Sequence, residues 1–281
     1  MRYKPFVIIA ILLLPSFCLA AQPKTPPQTK LLLEKGITQG RQGEVYDIVH
    51  EPKHDAGKTL NQARAEWTYD DDYTGQEDWG NIKGYEICND GAAQSPITIS
   101  YTKNVILPPL RVEYKTANGV LETSDKSFII NLKNAGKISV DGISYNLQKI
   151  EFHSPSEHLI RDSYYPLEIH LIHKSDVGKI LILAIFANTD FDNSALAPLL
   201  QTPIPTKFVI DADGLLPKSL GYYSYAGSLP HPPCTEGVKW LVMKSPTIIS
   251  PAQLSAITKV VGRNARLPQP IYMREILETD Q

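Results

Sequence analysis

From residue 127 onward, apolar and polar side chains alternate in short runs separated by Gly, Asn, Asp and Pro. The runs cover 127–132, 137–140, 144–153, 167–173, 179–187 and 238–243. Period-two alternation over such lengths, rich in β-branched residues, predicts strands, and their even spacing predicts a mainly antiparallel sheet. One segment, 251–261 (PAQLSAITKVV), has the helical period instead. Its apolar positions are Leu254, Ile257, Val260 and Val261, and Pro251 follows a serine able to cap the first turn. No internal repeat and no second domain boundary appears after Trp67, so this stretch reads as one domain.

Two of the runs carry polar groups in unusual positions. In 145–158 (YNLQKIEFHSPSEH), alternation puts Ile150 and Phe152 on one face and Lys149, Glu151 and His153 on the other. In 167–173 (LEIHLIH), Glu168 and His170 share a face opposite Leu167, Ile169 and Leu171. A cation, carboxylates and imidazoles in such rows are costly to bury unless they pair or bind a metal. His153 and His170 with a third ligand make a three-ligand zinc site with an open position. Two histidines on two strands are, by spacing alone, more often structural.

Composition narrows the setting. The chain has 281 residues, long enough for a sizeable core, and a net charge of −2, which argues against nucleic acid or an anionic membrane surface as the main partner. Residues 1–20 have the layout of a secretory signal peptide: Arg2 and Lys4, an apolar run from Phe6 to Leu14, and a small residue at Ala20. The run is too short to span a bilayer, so the chain is not transmembrane once cleaved after Ala20 or Ala21. Cys18 would suit lipid modification, but Phe17 before it does not. Cleavage leaves 26 basic and 30 acidic residues, net −4. The expected location is the periplasm, with extracellular release as the alternative. Residues 21–66 are an N-terminal extension that opens on a proline-rich polar spacer. It reads either as a loosely packed leader, with a helical turn or two near 58–66, or as a segment (22–66) that docks on a cell-envelope partner. Two cysteines remain, Cys88 and Cys234. In an oxidising compartment they form a disulfide or stay as two buried thiols.

The segments around His153 and His170 resemble the α-carbonic anhydrase core, in which His-Phe-His, Ser-Glu-His and Glu-x-His-x-x-His carry a zinc site. The resemblance extends to Trp67-Thr-Tyr69 with Gly75 and Trp79, and to Cys88 with Gln94-Ser95-Pro96-Ile97. It continues through Tyr225 to Trp240 (YAGSLPHPPCTEGVKW) and Arg266-Leu-Pro268-Gln269-Pro270 with Arg274. It implies a mainly β (α+β) fold, a large central twisted, mostly antiparallel sheet with a few short peripheral helices. It implies a Cys88–Cys234 disulfide. It places His153 and His170 as zinc ligands, Glu157 as the carboxylate that receives a hydrogen bond from a gatekeeper threonine, and His158 and Glu168 as supports, with Glu168 orienting His170. Ile172, Ile182, Leu229, Val238 and Trp240 match the apolar wall of the CO₂ pocket.

Against that pattern the sequence departs at the chemistry. The first ligand histidine is Glu151, and the glutamine two residues before it is Lys149, so an ion pair is expected between them. The gatekeeper is Pro230, which offers no hydroxyl and no N–H. The Asn-Gly-His stretch that carries the proton shuttle is matched to Ala135-Gly136-Lys137, whose ammonium is poorly suited to proton transfer near neutrality. If the site works as a zinc enzyme, His231 is the expected stand-in as proton acceptor or donor at the pocket mouth. Two enzyme-level expectations follow: a pseudoenzyme that binds or scaffolds, with zinc absent or weakly held, or a zinc carbonic anhydrase using a His153/His170/Glu151 set.

Overall fold

The structure, a computed structural model, describes residues 67–70, 74–124 and 126–280. All lie within Leu60–Gln281, the second of two units into which the chain divides. The expected signal peptide, the spacer and the helical turn near 58–66 lie outside the described residues.

A 13-stranded sheet forms the body of this unit. From Lys207–Ile210 at one edge it runs through Ala117–Thr123, Phe128–Leu132, Ile143–His153, Leu167–Lys174 and Ile180–Thr189. It continues through Glu236–Met243, Tyr222–Ser228 and Leu277–Thr279 to Lys103–Asn104. The expected strands are all present, displaced by at most two residues at their ends. Most neighbours are antiparallel. The exceptions are Ile180–Thr189, parallel to Glu236–Met243 and to Thr247–Ile249, and Leu277–Thr279, parallel to Lys103–Asn104.

Alternation along the strands builds two cores. Leu147, Ile150, Phe152, Leu167, Ile169, Leu171, Leu181, Leu183 and Ile185 belong to the larger cluster. Ile172, Ile182, Val238 and Trp240 belong to a second cluster, with Leu229 packed against it. The five residues expected as a pocket wall therefore pack together in one cluster, and none of them lines the cavity beside Glu151 and His153. Strict alternation fails within strand Ile143–His153. The pairing slips between Leu147 and Lys149, so Leu147 and Ile150 both reach the larger core although three positions apart. Beyond that irregularity the period resumes and Lys149, Glu151 and His153 share the opposite face.

Helix Pro251–Val261 has the predicted bounds. Ser250 Oγ accepts the Gln253 N–H, and Gln253 Oε1 accepts the Ser250 N–H at 3.1 Å, a reciprocal cap. Cys88 and Cys234 are bonded to each other. The bond joins the segment that carries Trp79 to the Pro230–Pro233 loop, beside Trp67, Tyr69 and Tyr85. Closing a loop of 146 residues stabilises by about 4–5 kcal/mol in the chain-entropy view.

Candidate metal centre

Strands Ile143–His153 and Leu167–Lys174 run antiparallel with Glu151 opposite His170 and His153 opposite Glu168. Directly opposed residues share a face, so two carboxylates and two imidazoles occupy four adjoining positions. All four are buried, at 5, 4, 0 and 0% exposure for Glu151, His153, Glu168 and His170. Such a cluster persists only if its charges are matched.

Glu168 is matched completely. Its Oε1 accepts from His170 Nε2 and His158 Nδ1, both at 2.7 Å, and its Oε2 accepts the backbone N–H groups of Glu157 and His158 at 2.9 and 2.8 Å. Burial pushes its pKa up, but His158 and His170 outweigh burial and hold the carboxyl well below the usual range. His158 Nε2 in turn bonds the Tyr225 hydroxyl at 2.7 Å. Three of these groups, His158, Glu168 and His170, lie close enough to suggest a second ligand cluster. Every polar side-chain atom of His158 and Glu168 has a hydrogen-bond partner, and of the three groups only His170 keeps a nitrogen, Nδ1, without one.

The tautomers of the two expected ligands follow from their partners. His153 Nδ1 lies 2.9 Å from the Asn264 carbonyl, which can only accept, so Nδ1 carries the proton. His170 Nε2 donates to an ionised carboxylate, so its Nδ1 is bare. The bare atoms, His153 Nε2 and His170 Nδ1, are buried and have no hydrogen-bond partner. The ring centroids are 4.5 Å apart. One atom each from Glu151, His153 and His170 lies within 4.8 Å of the other two. Burial, and then the neighbouring His170, lowers the His153 pKa to about 3, so this imidazole is neutral.

Glu151 is the departure from a three-histidine set. Its Oε1 accepts from Lys149 Nζ at 2.5 Å, the expected ion pair, and its Oε2 is 3.7 Å from His231 Nε2. Burial raises its pKa, but His231, Lys149 and His153 together hold it far below the ordinary value. The ammonium is the hydrogen-bonded partner. The imidazole stands at ion-pair distance. His231 Nδ1 also bonds the Pro232 carbonyl at 3.0 Å, and its ring lies parallel to Trp67.

Glu157 sits fully buried beneath the histidines, 3.6 Å from His153 Nδ1 and 3.9 Å from His170 Nδ1. Its Oε1 accepts the Arg266 N–H at 2.8 Å. Its Oε2 has no partner. Burial pushes its pKa well up, the Arg266 N–H opposes this, and Glu168 and Glu151 add to the rise.

A cavity of about 330 Å³ opens beside this cluster, lined by Trp67, Tyr69, Lys126, Lys149, Glu151, His153 and His231 among others. Lys137 is not among them. It lies on Gly136–Val140, pairs with Glu113 at 3.6 Å, and lines a separate surface cavity that shares no residue with the first. The lysine matched to the shuttle therefore lies away from this cavity. The lysines that do line it are Lys149 and Lys126, the latter between strands Ala117–Thr123 and Phe128–Leu132 with its ammonium 5.4 Å from the Trp67 ring. Local sequence offered Gly136-Lys137 as the nearer likeness to Asn-Gly-His, but Gly136 (φ 91°) begins a strand that pairs with Arg111–Tyr114 instead.

With this geometry the comparisons agree. The sequence model for eukaryotic-type carbonic anhydrase matches residues 74–279. The chain belongs to the carbonic anhydrase family. It is 36% identical over 218 residues to a carbonic anhydrase of Neisseria gonorrhoeae, covering 73% of this chain and 86% of that one. The α-carbonic anhydrase of Photobacterium profundum superposes with a TM-score of 0.71 at 35% identity, over 76% of this chain and all of the other. A dioscorin complexed with ascorbate gives 0.72 at 31% identity, over 77% and 98%.

Carbonic anhydrases of this type use zinc, and the side chains fit a divalent ion. Two buried imidazole lone pairs without partners face the same region as a carboxylate, and a site made only of acceptors calls for a cation or a donor. One residue that positions a ligand went unread in the sequence. Asn264 accepts the His153 proton through its carbonyl, while its side chain accepts the Ser154 N–H and donates to the Phe152 carbonyl, each at 2.9 Å. Nothing local marks it: it lies 111 residues from His153.

Proposed function

We propose that this chain is an exported carbonic anhydrase-fold protein in which CO₂ hydration is lost or strongly impaired, and which acts by binding or scaffolding. The observation that carries the reading is the unpartnered Oε2 of Glu157. In the family that carboxylate receives a gatekeeper hydroxyl, which thereby orients the nucleophile. Pro230 has neither hydroxyl nor N–H to give. Loss of a single oriented donor typically costs about 10²–10³ in rate.

His153, His170 and Glu151 are the residues that would hold zinc. Asn264 fixes the first imidazole and Glu168 the second, each by fixing its tautomer. Zinc supplies Lewis acidity that activates water, a chemistry for which carbonic anhydrase is itself the standard example. The carboxylate at position 151 is already neutralised by Lys149, which supports weak retention. The signal-peptide pattern of residues 1–20 supports export, and the 22–66 segment is the proposed contact with a cell-envelope partner. That a dioscorin of this fold is found with ascorbate supports a ligand-binding role.

A second reading, an active zinc enzyme using the His/His/Glu set, is favoured by the two convergent bare nitrogens. Zinc content of the purified mature protein together with a CO₂ hydration assay separates the two. Stoichiometric zinc with fast hydration rejects the first reading. Under it, the combined change Glu151→His, Pro230→Thr and Lys126→His restores hydration. No recovery would show that the defect lies elsewhere.

A further inference from the structure

We infer that the Lys149 ammonium is a tethered counter-cation that competes with a divalent metal for the Glu151 carboxylate and so sets how tightly the site holds zinc. The inference rests on the reading that His153, His170 and Glu151 form the donor set. It goes further by assigning the control of affinity to a residue that touches no metal.

The two charges are unequally anchored. The Glu151 side chain is 7% exposed and faces His170 across the strand pair, so it has little room to move. The Lys149 side chain is 32% exposed at the cavity wall, on a flexible four-carbon stem that can turn to solvent without disturbing the backbone. With Nζ on Oε1 at 2.5 Å, one carboxylate oxygen is occupied and its charge is cancelled. A divalent ion that enters beside the two bare nitrogens must either displace the ammonium or endure its repulsion across a few ångströms of largely dry protein, where such repulsion is strong. The other groups facing Glu151 are His231, at 3.7 Å, and His153, neutral in its tautomer. Both help to hold Glu151 ionised, but Lys149 makes the contact at hydrogen-bond distance, 2.5 Å against 3.7 Å for His231. The ion pair therefore gives the site its own cation in the resting state, and zinc binds only by displacing or weakening that contact.

The test is a chelator competition for zinc with the metal-free, disulfide-intact chain, on wild type, Lys149→Gln, Lys149→Met and, as a charge-matched control away from the cavity, Lys137→Gln. Both Lys149 variants are expected to bind zinc at least tenfold more tightly than wild type, and Lys137→Gln within threefold of it. In a Glu151→Gln background the Lys149→Gln change is expected to lose its effect. Equal affinities across wild type and both Lys149 variants overturn the inference, as does an equal gain from Lys137→Gln or a gain that persists without Glu151. Two chemically different replacements, each checked by circular dichroism and melting, guard against a variant that misfolds. Turnover is a separate readout: Lys149→Gln gains zinc yet stays slow in hydration, because Pro230 is unchanged. Fast hydration by wild type would reject the functional reading without altering the affinity comparison.

Discussion

Glu157→Gln exchanges one carboxyl oxygen for an amide nitrogen with almost no change of shape, at a position with no access to solvent. The carbonyl oxygen continues to accept the Arg266 N–H, and the amide replaces the unpartnered Oε2. In the wild type, burial keeps the Glu157 proton bound well above the ordinary value of 4.5, at which the unfolded chain releases it. Between these limits unfolding releases a proton. Stability contributed by this group is therefore complete below 4.5 and declines by about 1.4 kcal/mol per pH unit as pH rises toward the folded pKa. His153 and His173, both lowered to about 3 by burial, act in the opposite sense: their contribution grows between about 3 and 6.5 and then levels. Subtracting wild type from variant removes the contribution of His173, which is not among the groups that act on Glu157, and most of that of His153. The difference, in favour of the glutamine variant, is expected to widen as pH rises above 4.5, by up to about 1.4 kcal/mol per pH unit until the folded pKa is passed. Urea unfolding of metal-free, disulfide-intact protein at about pH 5, 6, 7 and 8 measures it. A difference that stays flat to within about 0.5 kcal/mol over that range refutes the claim that burial without a donor governs Glu157.

Asn264→Ala removes side-chain bonds to Ser154, Phe152 and Lys126 at 2.9, 2.9 and 3.2 Å, so denaturant unfolding should show a loss of about 2–4 kcal/mol. The same variant loosens the carbonyl that fixes His153, and its zinc affinity should fall in the chelator competition. Lys137→Ala removes only an exposed ion pair, with side chains 41 and 60% accessible, and should change stability by less than about 1 kcal/mol. Because Lys137 lies outside the metal-site cavity, hydration and zinc binding should be unaffected; a tenfold change in either would return it to the site.

Much of the site was legible because alternation is a local property. Lys149, Glu151 and His153 share a face in the sequence and share it in the structure, and Ser250 before Pro251, with Gln253 three residues on, announces the helix and its cap. The ordered motifs from Trp67 to Arg274 determined the family, and they are what marks Glu151 and Pro230 as departures in the proposed reading. Other features depend on pairing between distant segments, which no local pattern encodes. The slip between Leu147 and Lys149 is set by the neighbouring strand. Asn264 reaches His153 only because the chain after the helix folds back over the strand ends. Local sequence does not tell which lysine lines a cavity: only the strand order puts Lys126 beside the candidate metal site and Lys137 at another cavity. The sequence thus determined which groups the site contains. The tertiary structure decided which of them are left without partners, because hydrogen-bond satisfaction depends on atoms that arrive from all parts of the chain.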